Sequence, residues 1–260
     1  MPVPQSIVSG LWGGLSLAGA MGRFISLIVG LAALVLAPER AASETRAVVE
    51  LFTSQGCSSC KAADLYLEEL VETPGVLALS YHVDYWDYLG WRDTLGHPDN
   101  TQRQRDYAEV LGSRRIYTPQ IIVNGMVDLV GSDRQGVEAA VSQSTLSVPV
   151  TMHRRNGQVA IEVGSRPLPG RRPTTIRLVL FSSVVKVDIT RGENAGSRIA
   201  YHNVVRAMRP IGMWDGSTVK VTLPEDELMG HGVDGCAVLV QEDLGKGPGA
   251  ILGAAQLSRW

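Results

Sequence analysis

Short apolar strands and amphipathic helices alternate over the first half of the chain. The apolar runs 47–52 and 76–83 have the pattern of buried strands, and residues 61–72 between them carry apolar side chains at near-helical spacing. Residues 101–111 predict a second helix, and a third is expected to run to about residue 144. Because strands alternate with helices, this half is predicted to form a mixed sheet with covered faces.

The second half has a different pattern, dominated by strands. Asn124-Gly125 marks a hairpin turn in the first half, and Asn156-Gly157 marks another after Pro149. Later apolar runs are strand-like, and they cover 175–189, 198–208, 217–223, 236–242 and 250–257. The pattern therefore predicts an all-β, sandwich-like domain over 148–260.

The N-terminus has the features of a secretory signal. Residues 24–37 form a run of 14 apolar or small residues, preceded by Arg23 and followed by Ala41-Ala42-Ser43. A membrane helix needs about 20 apolar residues, which this run does not reach without burying Arg23. We therefore expect residues 1–43 to be a signal peptide, with Met21 as the true start. The mature protein is expected in the periplasm or outside the cell without stable membrane insertion, and a retained anchor is the alternative.

Composition excludes several classes of protein. The 260 residues include 24 basic and 26 acidic side chains, a formal net charge of −2 that argues against a nucleic-acid partner. Apolar residues make up 45% of the chain, too many for a disordered protein. Three cysteines are too few for a disulfide-stapled miniprotein. Their spacing is therefore the informative feature.

Cys57 and Cys60 stand where the first strand gives way to the first helix. Free backbone N–H groups and the helix dipole stabilise a thiolate at such a position and lower its pKa. We expect Cys57 to attack a disulfide and Cys60 to resolve the mixed disulfide. The pair needs no diffusible cofactor, because it is itself a redox-active disulfide. Protein thiols or disulfides are the expected substrates, and a further redox partner has to recharge the pair.

A second motif supports this prediction. Thr118-Pro119 directly precedes the apolar strand QIIV, and an X–Pro bond can be cis at a modest cost of about 0.5–1 kcal/mol. Over residues 47–145 the chain resembles the thioredoxin superfamily, in which a cis-Pro loop faces the CxxC motif. That resemblance implies that Thr118 and Pro119 contact the substrate.

The resemblance extends to a narrower family over nearly the whole mature chain. The strings that carry it are VVELFTSQGCSSC, LSYHVDYWDYLGW, RQRDYA, YTPQIIVNG and GENAGSRIAYHNVVRAM. They resemble the secreted thioredoxin-like family known as domain of unknown function 1223. The resemblance implies a thioredoxin-like α/β domain over 44–147, with a central mixed sheet and flanking helices, followed by the β-rich domain. It implies little about activity, and Lys61 stands where that family usually has proline.

Four further residues are candidates for supporting roles. Glu50, within the first strand, either relays protons to the dithiol or points to the opposite face of the sheet. Lys61 carries an ammonium that would help hold a thiolate. Tyr85 and Trp86, in an aromatic loop, either form a wall of the substrate groove or cap the end of the sheet and pack against the β-rich domain.

Other readings of the two cysteines stay open. The pair could be a structural disulfide in a non-enzymatic binding module, although so short a loop gains little stability from a bridge. With His82, Cys57 and Cys60 could instead hold copper or zinc. His82 is otherwise expected to hydrogen-bond within the fold. Cys236 is expected to be a buried free thiol.

Overall fold

The computed structural model describes residues 44–113, 115–167, 172–230 and 232–258. The expected signal peptide, 1–43, lies outside the described residues. Within the described ranges, the chain forms eleven strands and three α-helices. None of the helices described there has the length and apolar character needed to cross a membrane.

The predicted helices and strands are found close to their expected positions. The helices are α1 (Lys61–Val71), α2 (Pro98–Val110) and α3 (Arg134–Ser142). The strands are β1 (Ala47–Thr53), β2 (Val76–His82), β3 (Gln120–Val123), β4 (Val127–Val130), β5 (Val150–Arg155), β6 (Gln158–Val163), β7 (Thr174–Ile189), β8 (Ser197–Met213), β9 (Val219–Pro224), β10 (Gly235–Asp243) and β11 (Pro248–Ser258).

Eight of the strands form one mixed sheet that runs through both halves of the sequence. Its order is β11-β10-β7-β8-β2-β1-β3-β4, and β5, β6 and β9 form a separate three-stranded sheet. Strand β8 joins the first-half strands by a parallel pairing with β2, through Ser80 and Val204. The long hairpin β7–β8 and the pair β10–β11 thereby extend the sheet that β1 and β2 begin.

This topology corrects the predicted fold class. A thioredoxin-like domain with a helix-flanked core, followed by a distinct β-sandwich, is wrong: the described part of the chain contains far more strand than helix, and its main sheet draws strands from both halves. Apolar periodicity identified most of the strands, but it carries no information on which distant strands pair. The expected boundary between residues 147 and 148 falls between α3 and β5 and stays a prediction.

The two faces of β1 and β2 pack against different partners. Val49 and Leu51 lie in an apolar cluster with residues of α1 and α3. Val48 and Phe52 point the other way, into a cluster that contains Tyr107 of α2. Side chains along a strand alternate between faces, so each residue of β1 or β2 belongs to one environment or the other.

Both predicted Asn-Gly turns close hairpins. Asn124 and Gly125 have φ of 50° and 71°, and Asn156 and Gly157 have φ of 53° and 70°. These left-handed conformations suit Asn and Gly and match the twist of the flanking strands. The surroundings differ, because a Cβ on Gly125 would overlap the carbonyl oxygen of Gly249, whereas nothing lies within 4 Å of one on Gly157.

Alanine substitutions at Gly157 and Gly125 separate the energetic cost of backbone strain from that of steric overlap. We expect Gly157→Ala to lower the free energy of unfolding by about 1–2 kcal/mol, the cost of a left-handed alanine. Gly125→Ala should cost clearly more, because β11 must also move. Urea unfolding of both variants measures the difference. Equal costs would show that the contact between the β3–β4 turn and β11 is not tight.

Candidate functional site

Cys57 and Cys60 form a disulfide at the start of α1, with their Cα atoms 5.4 Å apart. A short 3-10 turn, Ser58–Cys60, leads directly into the helix. Cys57 is 5% exposed and Cys60 is fully buried, while Ser58 and Ser59 are exposed. Cys57 is thus the more accessible sulfur-bearing residue, in line with the order of attack inferred from the sequence.

The structure brings the aromatic loop and the Thr118-Pro119 motif to the cysteine loop. The Thr118–Pro119 bond is cis, and Trp86 Nε1 donates a hydrogen bond of 2.7 Å to Thr118 Oγ1. A Cβ on Gly56, which precedes Cys57, would lie 3.2 Å from the Cβ of Trp86. Trp86 therefore connects the cysteine loop to the cis-proline loop.

Tyr85 and Lys61, which the sequence also suggested as supporting residues, have different surroundings. The ring of Tyr85 is 5.6 Å from that of Trp86, and burial raises the pKa of Tyr85 to about 12. Lys61, at the start of α1, is exposed, and its Nζ donates to Ser197 Oγ at 2.7 Å. The Lys61 ammonium is thus bound to the start of β8.

Glu50 lies in a polar network on the α2 side of β1. Its carboxylate accepts hydrogen bonds from Arg103 Nε, at 2.8 Å, and from the Tyr107 hydroxyl. Arg103 also donates to Gln241 Oε1, at 3.0 Å, which links α2 to β10. Helix α1, which begins directly after Cys60, packs on the other face. Glu50 therefore lies on the face opposite the cysteines, which is the alternative placement considered for it from the sequence.

Asp64 is an acidic residue on the cysteine side that sequence reasoning missed. Cys60 is the N-cap of α1, and Asp64 lies four residues later in the first turn of the helix, so the two share a helix face. It is 4% exposed, and Thr53 Oγ1 donates to its Oδ1 at 2.7 Å. Burial raises the pKa of Asp64 to about 7, although His82 and the Thr53 hydrogen bond oppose the shift. The four-residue spacing was the signal in the sequence.

His82 lies on the same face, at the end of β2, and is fully buried. Its Nδ1 is 2.8 Å from Asp93 Oδ2, which also accepts from the backbone N–H of Gln55 at 2.7 Å. Burial alone would raise the pKa of Asp93, but His82 and the backbone donors of Gln55 and Leu95 outweigh it and lower that pKa. Within the described residues, His82 Nε2 has no hydrogen-bond partner, so one nitrogen stays available.

The turn between β7 and β8 completes the site from the second half of the chain. Asn194 Nδ2 donates to the carbonyl oxygens of Gln55, at 2.9 Å, and Cys57, at 3.1 Å. Gln55 in turn accepts from Trp91 Nε1 at 2.8 Å. Asn194 stood in one of the family-like strings, but no local pattern assigned it a contact with the cysteines.

The third cysteine, Cys236, lies in a different part of the fold from the disulfide. Cys236 is fully buried in the apolar cluster between the two sheets, and burial raises its pKa to about 12. It therefore remains a protonated thiol at neutral pH.

The metal-binding alternative requires a group of ligands. Among the described residues, no three His, Cys, Asp or Glu side chains form a group suited to hold a metal ion.

These features define a mixed-sheet protein with a disulfide at a helix start and buried acidic and imidazole groups beside it. A family model described as a protein of unknown function, DUF1223, matches residues 48–241. The chain belongs to that family, which confirms the resemblance to domain of unknown function 1223 but not the wider resemblance to the thioredoxin superfamily. No curated protein matches the chain.

Two solved structures are similar to the chain. A crystal structure of a protein from Agrobacterium tumefaciens is 37% identical, with a TM-score of 0.74 over 84% of this chain and 96% of that one. HBP35 of Porphyromonas gingivalis is 14% identical, with a TM-score of 0.57 over 84% of this chain and 76% of that one. The second likeness is one of fold only.

The raised pKa of Asp64 predicts a stability change with pH. Between about pH 4 and pH 7 the folded protein retains a proton on Asp64 that the unfolded chain has lost, so the free energy of unfolding falls as pH rises. The substitution Asp64→Asn removes this decrease in the free energy of unfolding, because an amide does not titrate. Relative to wild type, the variant should gain stability on the order of 4 kcal/mol from pH 4 to pH 7, and no more above it.

Urea unfolding of the oxidised proteins at several pH values measures this gain. Glu72→Gln, which removes an exposed carboxylate just after the same helix, is the matched control. A difference between wild type and Asp64→Asn that does not change with pH would contradict the buried, protonated state of Asp64.

Proposed function

We propose that the protein is an exported thiol–disulfide oxidoreductase that acts on protein thiols and disulfides through Cys57 and Cys60. One observation carries the proposal: a disulfide at the start of α1 with a buried carboxyl group, Asp64, on the same helix face. A pKa of about 7 suits a group that exchanges protons near neutral pH. A bridge serving stability alone would not require such a neighbour.

The first step uses the reduced pair. The Cys57 thiolate attacks one sulfur of a substrate disulfide, a new S–S bond forms, and the other substrate sulfur leaves as a thiolate that takes up a proton. The start of α1 favours the attacking thiolate, because its free backbone N–H groups point toward that end. The product is a mixed disulfide between Cys57 and the substrate.

The second step returns the pair to the observed disulfide. Cys60 loses its proton and attacks Cys57 Sγ, which releases the second substrate sulfur as a thiolate. Asp64 is the proposed acceptor of the Cys60 proton, and the released thiolate takes a proton from solvent. Overall, two electrons pass from the dithiol to the substrate. The reverse sequence donates the disulfide to a substrate dithiol.

The surroundings fit a protein substrate and an oxidising compartment. Tyr88 is 75% exposed, and its ring stacks 6.2 Å from that of Trp86 beside the cysteine loop. Exposed aromatic side chains are common anchors for peptide segments. The signal-like N-terminus of the sequence supports the proposed export, and periplasmic or extracellular conditions permit a disulfide.

Single cysteine substitutions should stop the reaction either before or after the mixed disulfide forms. We expect Cys57→Ser to abolish reduction of a model protein disulfide, because the attacking sulfur is lost. Cys60→Ser should still attack but accumulate the mixed disulfide, which a non-reducing gel detects. Cys236→Ala is the control and should retain activity, since its thiol is buried away from the site.

A redox titration with alkylation at Cys57 and Cys60 provides the decisive comparison. A reversible two-electron couple between about −270 and −120 mV is expected. A pair that stays oxidised below about −300 mV would make the disulfide structural. Reduced cysteines that resist alkylation until a chelator is added would instead indicate metal binding.

The role of Asp64 predicts the pH dependence of the second step. Only the carboxylate accepts a proton, so resolution by Cys60 should accelerate as pH rises through about 7. Asp64→Asn should slow that step by roughly 10²-fold at neutral pH and remove the inflection. Stopped-flow decay of a preformed mixed disulfide measures the rate.

Thr53→Val supplies a matched control for this assignment. The hydrogen bond from Thr53 lowers the pKa of Asp64, so its removal should move the inflection to higher pH without abolishing the reaction. An inflection that stays in place in both variants would assign the titration to another group and leave Asp64 without a role in proton transfer.

A further inference from the structure

A side-chain hydroxyl lies within hydrogen-bond distance of the sulfur that is proposed to attack the substrate. Ser59 Oγ is 3.4 Å from Cys57 Sγ. A disulfide sulfur carries no hydrogen, so the Ser59 hydroxyl is the donor of this pair. Ser59 is exposed, and its hydroxyl makes no other hydrogen bond to the described residues. Within that part of the chain, the Cys57 sulfur is therefore its acceptor.

The backbone of the cysteine loop holds this contact in place. The 3-10 turn that contains Ser59 is closed by a hydrogen bond of 3.2 Å from the N–H of Cys60 to the carbonyl oxygen of Cys57. Asn194 donates to the same carbonyl at 3.1 Å, and the N–H of Cys57 donates to the carbonyl oxygen of Ser54 at 3.1 Å. Both backbone polar groups of Cys57 are thus bonded, which fixes the position from which its sulfur faces Ser59.

The hydroxyl distinguishes the two sulfurs of the disulfide. Cys57 occupies the N-cap position of the 3-10 turn, where a side-chain acceptor commonly receives a bond from a backbone N–H, but its sulfur receives none. Ser59 therefore supplies the direct donor, whereas the N–H groups of α1 act on the sulfur only through their field. Cys60 is fully buried, and no hydroxyl of the described residues donates to its sulfur.

We propose that Ser59 is a catalytic residue of the dithiol, whose hydroxyl donates a hydrogen bond to the Cys57 thiolate and stabilises it. This role rests on the proposed function, because Cys57 is the sulfur that attacks there. A thiolate accepts more strongly than a neutral disulfide sulfur, since charge-assisted hydrogen bonds are roughly twice as strong as neutral ones. The contact therefore stabilises the reduced pair more than the oxidised pair. When Cys57 ionises, its proton passes to solvent and Ser59 keeps its own.

This difference between the two redox states gives the pair a preferred direction. Where Cys57 is ionised, a donor that stabilises its thiolate raises the reduction potential of the pair. A higher potential favours transfer of the disulfide to a substrate dithiol, in which the substrate loses two electrons and the Cys57–Cys60 bond is reduced. Without the Ser59 hydroxyl the pair should be a weaker oxidant.

Several ionisable side chains also lie on the segments packed against the cysteine loop. They belong to α1, the end of β2, the aromatic loop and the β7–β8 turn, and they are Lys61, Asp64, His82, Asp84, Asp87, Arg92, Asp93, Arg191 and Glu193. Substitution of Ser59 changes none of these charges. A difference in the ionisation of Cys57 between variants of Ser59 therefore reports the effect of the hydroxyl.

A pH titration of the ultraviolet absorbance of the Cys57 thiolate tests the contact. It is made in a Cys60→Ala background, in which no disulfide forms and no new hydroxyl is introduced, while Cys236 stays buried. Ser59→Ala should move the titration midpoint to higher pH by about one unit, a tenfold change in acid dissociation caused by one lost hydrogen bond to a charged group. Ser59→Thr keeps a hydroxyl and should restore the midpoint.

Ser58→Ala is the matched control. Ser58 is the neighbouring exposed serine, and its hydroxyl bonds to neither sulfur within the described residues, so its loss should leave the midpoint unchanged. Equal shifts for Ser58→Ala and Ser59→Ala would trace the effect to the loop as a whole and overturn the proposal. An unchanged midpoint in Ser59→Ala, or an equal shift in Ser59→Thr, would also overturn it.

A redox titration of proteins that keep both cysteines separates this proposal from the proposed function. Measured above both thiolate midpoints, Ser59→Ala should lower the potential of the couple by about 30 mV, the equivalent of a tenfold change for two electrons. A reversible couple with the same potential in Ser59→Ala and wild type would overturn the role of Ser59 and leave the oxidoreductase standing. A pair that never titrates reversibly would overturn the oxidoreductase, and the Cys60→Ala titration would still decide whether the hydroxyl bonds to the thiolate.

Discussion

Alternation of side chains along the parallel pair β1–β2 separates two buried polar networks. Thr53 and His82 point to the face of α1, while Glu50 and Tyr81 point to the face of α2. These strands are buried on both faces, so each polar side chain must find its partners on its own side. A shift of register by one residue would exchange the two networks. The cysteine site therefore depends on this register.

The second half of the chain completes both networks. Through the pairing of Ser80 with Val204, β8 becomes the neighbour of β2, which brings the turn containing Asn194 over the cysteine loop. On the other face, Gln241 of β10 joins the Glu50 network. One continuous sheet thus explains why both halves of the chain contribute to each network.

Local patterns in the sequence predicted local structure well. The predictions of the helix after Cys60, of the Asn124-Gly125 turn and of the family each rest on short segments of the sequence. The sheet order was not, because the pairing of Ser80 with Val204 joins residues more than a hundred positions apart. Asp64 could have been found, since its four-residue spacing from Cys60 is a local signal. Asn194 could not, because its contacts come from that long-range pairing.

Asp64 is a poor choice for stability alone. It is desolvated enough to bring its pKa to about 7, and an amide there would accept the Thr53 hydrogen bond without that penalty. A stable fold tolerates such a departure when the group has a role that a neutral residue cannot fill. The proposed proton exchange with Cys60 is a role of that kind.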